Sequence, residues 1–155
     1  SFWIDRHQVR TLGAYLPMPG EPDLSPLYPQ LLARGVTLTM PVVLERHHPL
    51  AFVRWQPGDA IARDASGTPA PTARGDYLLP DAVLAPCIGF TESCLRLGFG
   101  GGYFDRTLAQ SPRPRAVGIA YGFSRVVFAA EPHDIPLDAV ITDEGNWPPD
   151  TAGSQ

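Results

Sequence analysis

The chain has 155 residues, of which 44% are hydrophobic, and its formal net charge at pH 7 is −4. This length and composition are typical of one globular domain with a buried core. No stretch reaches the ~20 apolar residues of a membrane-spanning helix, and the first residues lack the pattern of a signal peptide, so we expect a cytoplasmic protein without a membrane partner. The negative charge argues against a nucleic-acid partner, which usually meets a basic face.

The basic residues restrict how the chain can hold an anion. All twelve are Arg, and there is no Lys. A Walker-type phosphate loop requires a Lys, so a site of that kind is excluded. Any bound anion must be held by Arg, by backbone N–H groups or by a metal ion. Cys87 and Cys94 have no nearby His pair and do not predict a zinc site; we expect two reduced thiols, with a disulfide as the alternative.

The amino-terminal half predicts strands around one helix. Residues 12–18 form a short apolar run that ends in a Pro- and Gly-rich turn, which predicts a buried strand. Residues 23–34 carry leucines at helical spacing, with Asp23 as a cap and Gly35 as the stop. Further strands are predicted over residues 36–44 and 50–55.

The rest of the chain begins with a long polar segment, 56–79, which predicts a loop. Residues 82–90 are continuously apolar, as expected for a central parallel strand. The remaining predicted elements are a glycine-rich turn at 98–102, a helix over 103–110, a strand over 116–121, a short helix over 124–130 and a strand over 139–142. We expect one domain over residues 1–146, followed by a tail at 147–155.

Alternating strands and helices predict the α/β class with a mostly parallel sheet. In such sheets, ligands bind beyond the carboxyl ends of the strands. The turns at 17–21 and 96–105 both follow predicted strands. We therefore expect these two turns to contribute to one shared site.

The densest motif is the run Arg96-Leu97-Gly98-Phe99-Gly100-Gly101-Gly102-Tyr103-Phe104-Asp105. Its glycines allow positive φ angles and a close approach of the backbone to a ligand. Successive N–H groups at the start of a helix can form an anion-binding nest, and Arg96 adds a guanidinium suited to phosphate. Asp105 can bind Mg²⁺, which prefers carboxylate and phosphate oxygens. The alternative interpretation is a glycine hinge capped by Asp105.

This run resembles the motif of the 5-formyltetrahydrofolate cyclo-ligases, also called methenyltetrahydrofolate synthetases. Three more blocks resemble that family and occur in its order, so the resemblance covers residues 12–144. They are Ala14-Tyr15-Leu16-Pro17-Met18 with Glu21, Gly35 and Met40-Pro41-Val42-Val43; Pro80-Asp81-Ala82-Val83-Leu84-Ala85-Pro86 with Gly89-Phe90; and His133-Asp134-Ile135-Pro136-Leu137-Asp138-Ala139-Val140.

The resemblance implies a monomeric, ATP- and Mg²⁺-dependent enzyme that converts 5-formyltetrahydrofolate to 5,10-methenyltetrahydrofolate, ADP and phosphate. It also implies a three-layer α/β/α fold of the NagB/RpiA/CoA-transferase type. By resemblance, Arg96 and Tyr103 are the catalytic candidates, with Tyr103 near the formyl group, and Asp105 and Asp134 hold Mg²⁺. The implied ATP contacts are Arg96, Leu97, Gly98, Phe99, Gly100, Gly101, Gly102, Tyr103 and Phe104, and the implied folate contacts are Leu16, Glu21, Phe99, Gly100, Gly101, Gly102 and Tyr103.

Several positions depart from the family pattern. We expect the chain to lack the family's basic amino-terminal helix, of which at most the end remains near Arg6 and Arg10. Small residues near Ser66 replace an aromatic residue, and Ala70 replaces an acidic or amide residue. Thr91 and Cys94 stand where Asp and Gly are common. Two alternatives therefore stay open: an enzyme acting on another formylated amine, and a non-catalytic module that binds folate or nucleotide.

Overall fold

The computed structural model describes residues 2–97, 102–132 and 134–149. Its helices are α1 (Phe2–Arg6), α2 (Tyr28–Ala33) and α3 (Tyr103–Leu108), with 3₁₀ turns at Ser25–Leu27 and Gly122–Ser124. The strands are β1 (Thr11–Gly13), β2 (Thr37–Val42), β3 (Ala51–Arg54), β4 (Ile61–Arg63), β5 (Pro69–Pro71), β6 (Ala82–Pro86), β7 (Gly89–Phe90), β8 (Arg96–Leu97), β9 (Arg115–Ile119), β10 (Ala139–Ile141) and β11 (Asn146–Trp147).

Seven strands form one sheet in the order β11-β10-β9-β6-β1-β2-β3. The five inner strands are parallel to their neighbours, and only the two outer strands, β3 and β11, run antiparallel. At the centre, Leu12 pairs with Leu38 on one side and with Ala82 on the other. The prediction of a mostly parallel sheet is confirmed.

Alternate residues of β6 enter two separate cores. Ala82 and Leu84 belong to one cluster, which includes Tyr28 of α2, whereas Val83 and Ala85 belong to the other cluster, which also contains residues of α3. Successive side chains of a strand point to opposite faces of the sheet. The sheet therefore lies between helical layers, and the expected three-layer arrangement is confirmed.

Gly13, at the end of β1, is required by close packing. A Cβ at this position would lie 2.8 Å from Cγ1 of Val83 and 2.9 Å from Cε1 of Phe52, closer than such atoms approach in proteins. The absence of a side chain lets the neighbouring strands pack tightly where the chain leaves the sheet.

Two sequence predictions about secondary structure are wrong. The polar segment 56–79 contains an antiparallel hairpin, β4–β5, in which Ala62 pairs with Ala70. The strand β5 was not predicted because it contains Pro69 and Pro71, although proline is tolerated in such an edge position. The helix predicted over 124–130 is absent: after the 3₁₀ turn, the N–H of Val126 bonds to the carbonyl of Phe90 at 2.8 Å, which holds the chain beside β7.

Smaller differences concern the ends of elements. The first strand ends at Gly13, and the predicted helix at 23–34 begins as a 3₁₀ turn in which Oδ1 of Asp23 accepts hydrogen bonds from the N–H and hydroxyl of Ser25. The predicted tail begins later than residue 147, because Trp147 pairs with Val140 in β11. Residues 150–155 lie outside the described part.

Both cysteines are buried free thiols, as expected. Among the helices that the structure describes, none has the length and apolar character needed to cross a membrane.

Candidate active site

A cavity of about 530 Å³ lies at the carboxyl ends of β1, β2 and β6. This is where the topology of a parallel sheet places ligands. Its lining includes residues from both turns that the sequence assigned to one site. The lining residues are Tyr15, Leu16, Met18, Glu21, Met40, Pro41, Val43, Arg46, His47, Leu50, Asp64, Ser66, Thr68, Pro69, Pro86, Arg96, Gly102, Tyr103, Phe104 and Arg106.

Two tyrosines fix the segment that follows β1. The hydroxyl of Tyr28, on α2, donates to the carbonyl of Tyr15 at 2.7 Å and accepts from the N–H of Tyr15 at 3.2 Å. The hydroxyl of Tyr15 donates to the carbonyl of Pro22 at 2.6 Å. Burial raises the pKa of Tyr28 to about 12, so its hydroxyl stays protonated and keeps both roles. The segment that carries Leu16 and Glu21 is thus tied to the core at both ends.

Glu21 is a buried carboxylate on the wall of the cavity, with 8% of its surface exposed. Its Oε1 accepts a hydrogen bond from the N–H of Met18 at 2.8 Å. Burial raises the pKa of Glu21, while the Met18 N–H and the charge of Arg96 act in the opposite direction. A carboxylate placed like this is suited to receive paired N–H donors from a ligand.

Arg96 points into the cavity from β8. Its Nε donates to the carbonyl of Pro86, at the end of β6, at 2.7 Å, and its guanidinium lies 4.6 Å from the ring centroid of Phe104. Burial lowers the pKa of Arg96, and the neighbouring Cys87, Glu21 and Asp105 oppose that change. An arginine pKa is high enough that Arg96 stays charged, so it presents a fixed cation to the cavity.

Cys87 does not supply a nucleophile. Burial raises the pKa of its thiol to about 11, although the charge of Arg96 lowers it in part. The thiolate is the reactive form of cysteine, so Cys87 is protonated and unreactive at neutral pH.

The glycine run meets the cavity at its carboxyl-terminal end. Gly102 has a φ of +70° and directly precedes α3, whose first residues Tyr103 and Phe104 line the cavity. Of the other residues assigned to the site, Gly98, Phe99, Gly100 and Gly101 lie outside the described part of the chain. Leu97 is described and does not line the cavity.

Asp105 is hydrogen-bonded to the residue that follows Asp134, and neither aspartate lines the cavity. Oδ1 of Asp105 accepts a hydrogen bond from the N–H of Ile135 at 3.2 Å, and Oδ2 of Asp134 accepts one from the N–H of Glu131 at 2.9 Å. Within the described residues there is no cluster of three or more ligating side chains. Two carboxylates still fit Mg²⁺, which commonly takes one or two carboxylates and completes its shell with phosphate and water oxygens.

The β4–β5 hairpin forms a wall that sequence reasoning missed. Asp64 anchors it: Oδ2 accepts from the N–H of Val43 at 3.0 Å, and Oδ1 accepts from the N–H and hydroxyl of Ser66 and from the N–H of Thr68. Burial raises the pKa of Asp64, but these hydrogen bonds outweigh burial and lower it overall. An Asp followed at short spacing by Ser and Thr is a turn signal that would have indicated the tight turn of this hairpin.

The departures from the family pattern fall in different places. Ser66 lines the cavity, whereas Ala70 is buried against Val42 and Val53, away from it. Thr91 accepts the N–H of Leu95 through its hydroxyl at 3.1 Å, and Cys94 takes the left-handed φ of 65°. Of these positions, only Ser66 faces the site.

Comparison with known proteins agrees with the motifs. The family model described as 5-formyltetrahydrofolate cyclo-ligase family matches residues 4–143. The 5-formyltetrahydrofolate cyclo-ligase of Escherichia coli (strain K12) is 32% identical over 151 residues, which cover 90% of this chain and 81% of that enzyme. The cyclo-ligase of Mycoplasma pneumoniae is 48% identical over 65 residues, which cover 41% of this chain and 40% of that enzyme.

Solved structures give the same result. The 5,10-methenyltetrahydrofolate synthetase of Aquifex aeolicus matches with a TM-score of 0.74 and 27% identity, covering 97% of this chain and 78% of the other. The synthetase from Mycoplasma pneumoniae matches with a TM-score of 0.68 and 25% identity, covering 92% of this chain and 78% of the other. The resemblance found in the motifs is confirmed, and the chain belongs to the 5-formyltetrahydrofolate cyclo-ligase family of ATP-dependent ligases.

Proposed function

We propose that this chain converts 5-formyltetrahydrofolate and ATP to 5,10-methenyltetrahydrofolate, ADP and phosphate in the cavity at the carboxyl ends of β1, β2 and β6. One observation carries the proposal. Residues implied by the family motif but distant in sequence line a single cavity, and they are Leu16, Glu21, Arg96, Gly102, Tyr103 and Phe104.

The chemistry requires activation of the formyl oxygen, because an amide-like oxygen is a poor leaving group. Transfer of the γ-phosphoryl group of ATP to that oxygen gives an imidate-like phosphate ester. N10 then attacks the formyl carbon and loses its proton, and phosphate leaves with the former formyl oxygen. The protein needs no nucleophile, and its main contributions are positioning and stabilisation of charge on the transferring group.

The pterin end of the folate is assigned to the wall formed by Leu16 and Glu21. The carboxylate of Glu21 can accept two N–H donors, which the pyrimidine ring of a pterin presents side by side. Leu16 supplies apolar contact next to it, and both side chains are oriented by the tyrosine network after β1.

The phosphate end of ATP is assigned to Arg96 and the glycine run. Arg96 is held by Pro86 and Phe104, so its charge need not reorganise as the transition state forms. Tyr103 is assigned to the formyl group, next to Gly102. Bound Mg²⁺, held by Asp105 and Asp134, would neutralise charge on the phosphates.

The enzyme is proposed to act as a monomer in the cytoplasm. The two free buried thiols are consistent with a reducing compartment.

One observation favours a second candidate, an enzyme that acts on another formylated amine. Ser66, a small residue where the family usually has an aromatic one, lies on the cavity wall. Loss of an aromatic side chain there leaves room for a different ring system. Release of phosphate with a non-folate formamide, and none with 5-formyltetrahydrofolate, would support this candidate.

The test is an assay of methenyl product by its near-ultraviolet absorbance. The unaltered chain should form product with 5-formyltetrahydrofolate and MgATP, and Arg96→Lys and Asp105→Asn should each lower kcat/KM about 100-fold. The first change removes the planar guanidinium that meets phosphoryl charge, and the second removes a carboxylate proposed to hold Mg²⁺. Asp143→Asn is the matched control, since Asp143 also accepts one backbone N–H, from Gly122, but lies outside the cavity.

Thermal unfolding of each variant checks that the fold is kept. Full activity in both site variants would contradict the assignment. Folate and ATP binding without turnover in the unaltered chain would instead identify a non-catalytic binding module.

A further inference from the structure

Three basic side chains on the cavity lining belong to none of the family motifs used above. Arg46 and His47 follow the end of β2, and Arg106 lies on α3. They are distant in sequence, so only the folded chain brings them together. Arg46 and His47 are exposed, which leaves this part of the lining accessible to a charged ligand.

The guanidinium of Arg106 lies against the last residue of the glycine run. A Cβ on Gly102 would be 3.6 Å from three atoms of that guanidinium. The same group lies 5.6 Å from the ring centroid of Tyr103. Arg106 is therefore placed beside the backbone that the proposed function assigns to the phosphates.

His47 orients Arg106. Nη2 of Arg106 lies 3.4 Å from Nδ1 of His47. A guanidinium can only donate, so Nδ1 is the acceptor and the ring proton is on Nε2. His47 also has a φ of 63°, a left-handed conformation that is uncommon for residues other than glycine and is often found at functional sites.

We propose that Arg106, oriented by His47 and accompanied by Arg46, binds phosphate oxygens of ATP next to the glycine run. This inference rests on the proposed function and adds a second cationic group to it. A triphosphate carries several negative charges, and one hydrogen-bonding position of Arg96 is already used by Pro86. Because the chain has no Lys, the additional positive charge comes from Arg.

Asp64 also lines the cavity. Asp64 is the carboxylate on the hairpin side of the cavity, and its two oxygens already accept four hydrogen bonds from Val43, Ser66 and Thr68. These hydrogen bonds hold the carboxylate in place on the hairpin.

The first experiment measures binding by calorimetry, separately for MgATP and for 5-formyltetrahydrofolate. Arg106→Gln should weaken MgATP binding about 10- to 100-fold, the loss expected for charge-assisted hydrogen bonds, and should change folate binding less than about twofold. Arg106→Lys should recover part of the loss, because it restores the charge without the planar fork. Arg74→Gln is the control, since Arg74 is an exposed arginine outside the cavity.

A double-mutant cycle tests the role of His47. Asn tolerates the left-handed conformation, so His47→Asn keeps the backbone and removes the ring. His47→Asn should weaken MgATP binding when Arg106 is present. It should have little further effect in the Arg106→Gln background, because His47 acts through the side chain of Arg106.

The outcomes separate this inference from the proposed function. Unchanged MgATP affinity in Arg106→Gln, an equal loss of folate affinity, or absence of MgATP binding to the unaltered chain would overturn the inference. A chain that binds MgATP through Arg106 but forms no methenyl product would leave the inference standing and refute the proposed reaction.

Discussion

Glu21 is a buried acid on the cavity wall whose ionisation affects the stability of the chain. Burial raises the pKa of this carboxyl above its ordinary value of 4.5, and the hydrogen bond from Met18 and the charge of Arg96 reduce that effect. An acid with a raised folded pKa contributes stability at pH values below its unfolded pKa and loses that contribution as the pH rises through its folded pKa. At pH values above its folded pKa, ionised Glu21 therefore lowers the free energy of unfolding.

Glu21→Gln should stabilise the chain and impair it as a folate enzyme. At pH 8, the free energy of unfolding of the variant should exceed that of the unaltered chain, and the difference should shrink as the pH falls below 4.5. Affinity for 5-formyltetrahydrofolate should fall about 10- to 100-fold, as for loss of a charged acceptor. Urea unfolding at both pH values and calorimetry check these results. A variant that is less stable at pH 8, or that binds folate normally, would contradict this assignment.

The side chain of Asp64 helps to hold the β4–β5 hairpin in place. Asp64 accepts four hydrogen bonds that join the hairpin turn to the residue after β2. Its pKa is lowered overall, so its contribution to stability is present above the unfolded value of 3.8 and is lost as the pH falls through the lower folded value. The hairpin should accordingly stay closed into mildly acidic solution.

Asp64→Ala should open the hairpin locally. Loss of the carboxylate oxygens leaves the donors of Val43, Ser66 and Thr68 without these acceptors. This should destabilise the closed hairpin by about 1–3 kcal/mol. Hydrogen exchange should speed up in β4 and β5 while β6 and β9 stay protected. Asp59→Ala is the control, because Asp59 accepts only the N–H of Gln56, in a turn of the same segment and outside the cavity. Exchange in β4 and β5 that matches this control would show that Asp64 does not hold the wall.

The elements differ in how well the sequence predicted them. β6 is a continuous apolar run buried on both faces, and β9 is a similar run after its exposed first residue, Arg115, so composition alone indicates both strands. β5 was missed because prolines usually interrupt strands, and the helix at 124–130 was predicted where the chain instead bonds to Phe90. β5 pairs with the nearby β4, whereas the segment after residue 124 is placed by Phe90, a distant part of the chain.

The same distinction applies to the site. Glu21 and Arg96 were found through motifs with fixed local spacing. Arg106 and His47 are separated by 59 residues and carry no local pattern that links them. Their proximity follows from the parallel pairing of β1 with β2 and with β6, which gathers the loops after these strands at one edge.

In the whole molecule, the sheet positions the loops, and the loops carry the candidate functional side chains. The ends of β1, β2 and β6, the hairpin and α3 surround one cavity, with a buried carboxylate on one part of its wall and arginines on others. An acid that can accept N–H groups and cations that can hold phosphate therefore lie on the wall of one cavity, which suits a reaction between a pterin substrate and ATP.

The most direct test of the account follows the formyl oxygen itself. We propose that this oxygen is phosphorylated and leaves as phosphate, so 5-formyltetrahydrofolate labelled with ¹⁸O in the formyl group should yield inorganic phosphate that carries one ¹⁸O for each methenyl product formed. Mass spectrometry of the phosphate measures this transfer. Product formation with the label released into water, and unlabelled phosphate, would contradict phosphoryl transfer to the formyl oxygen in this cavity.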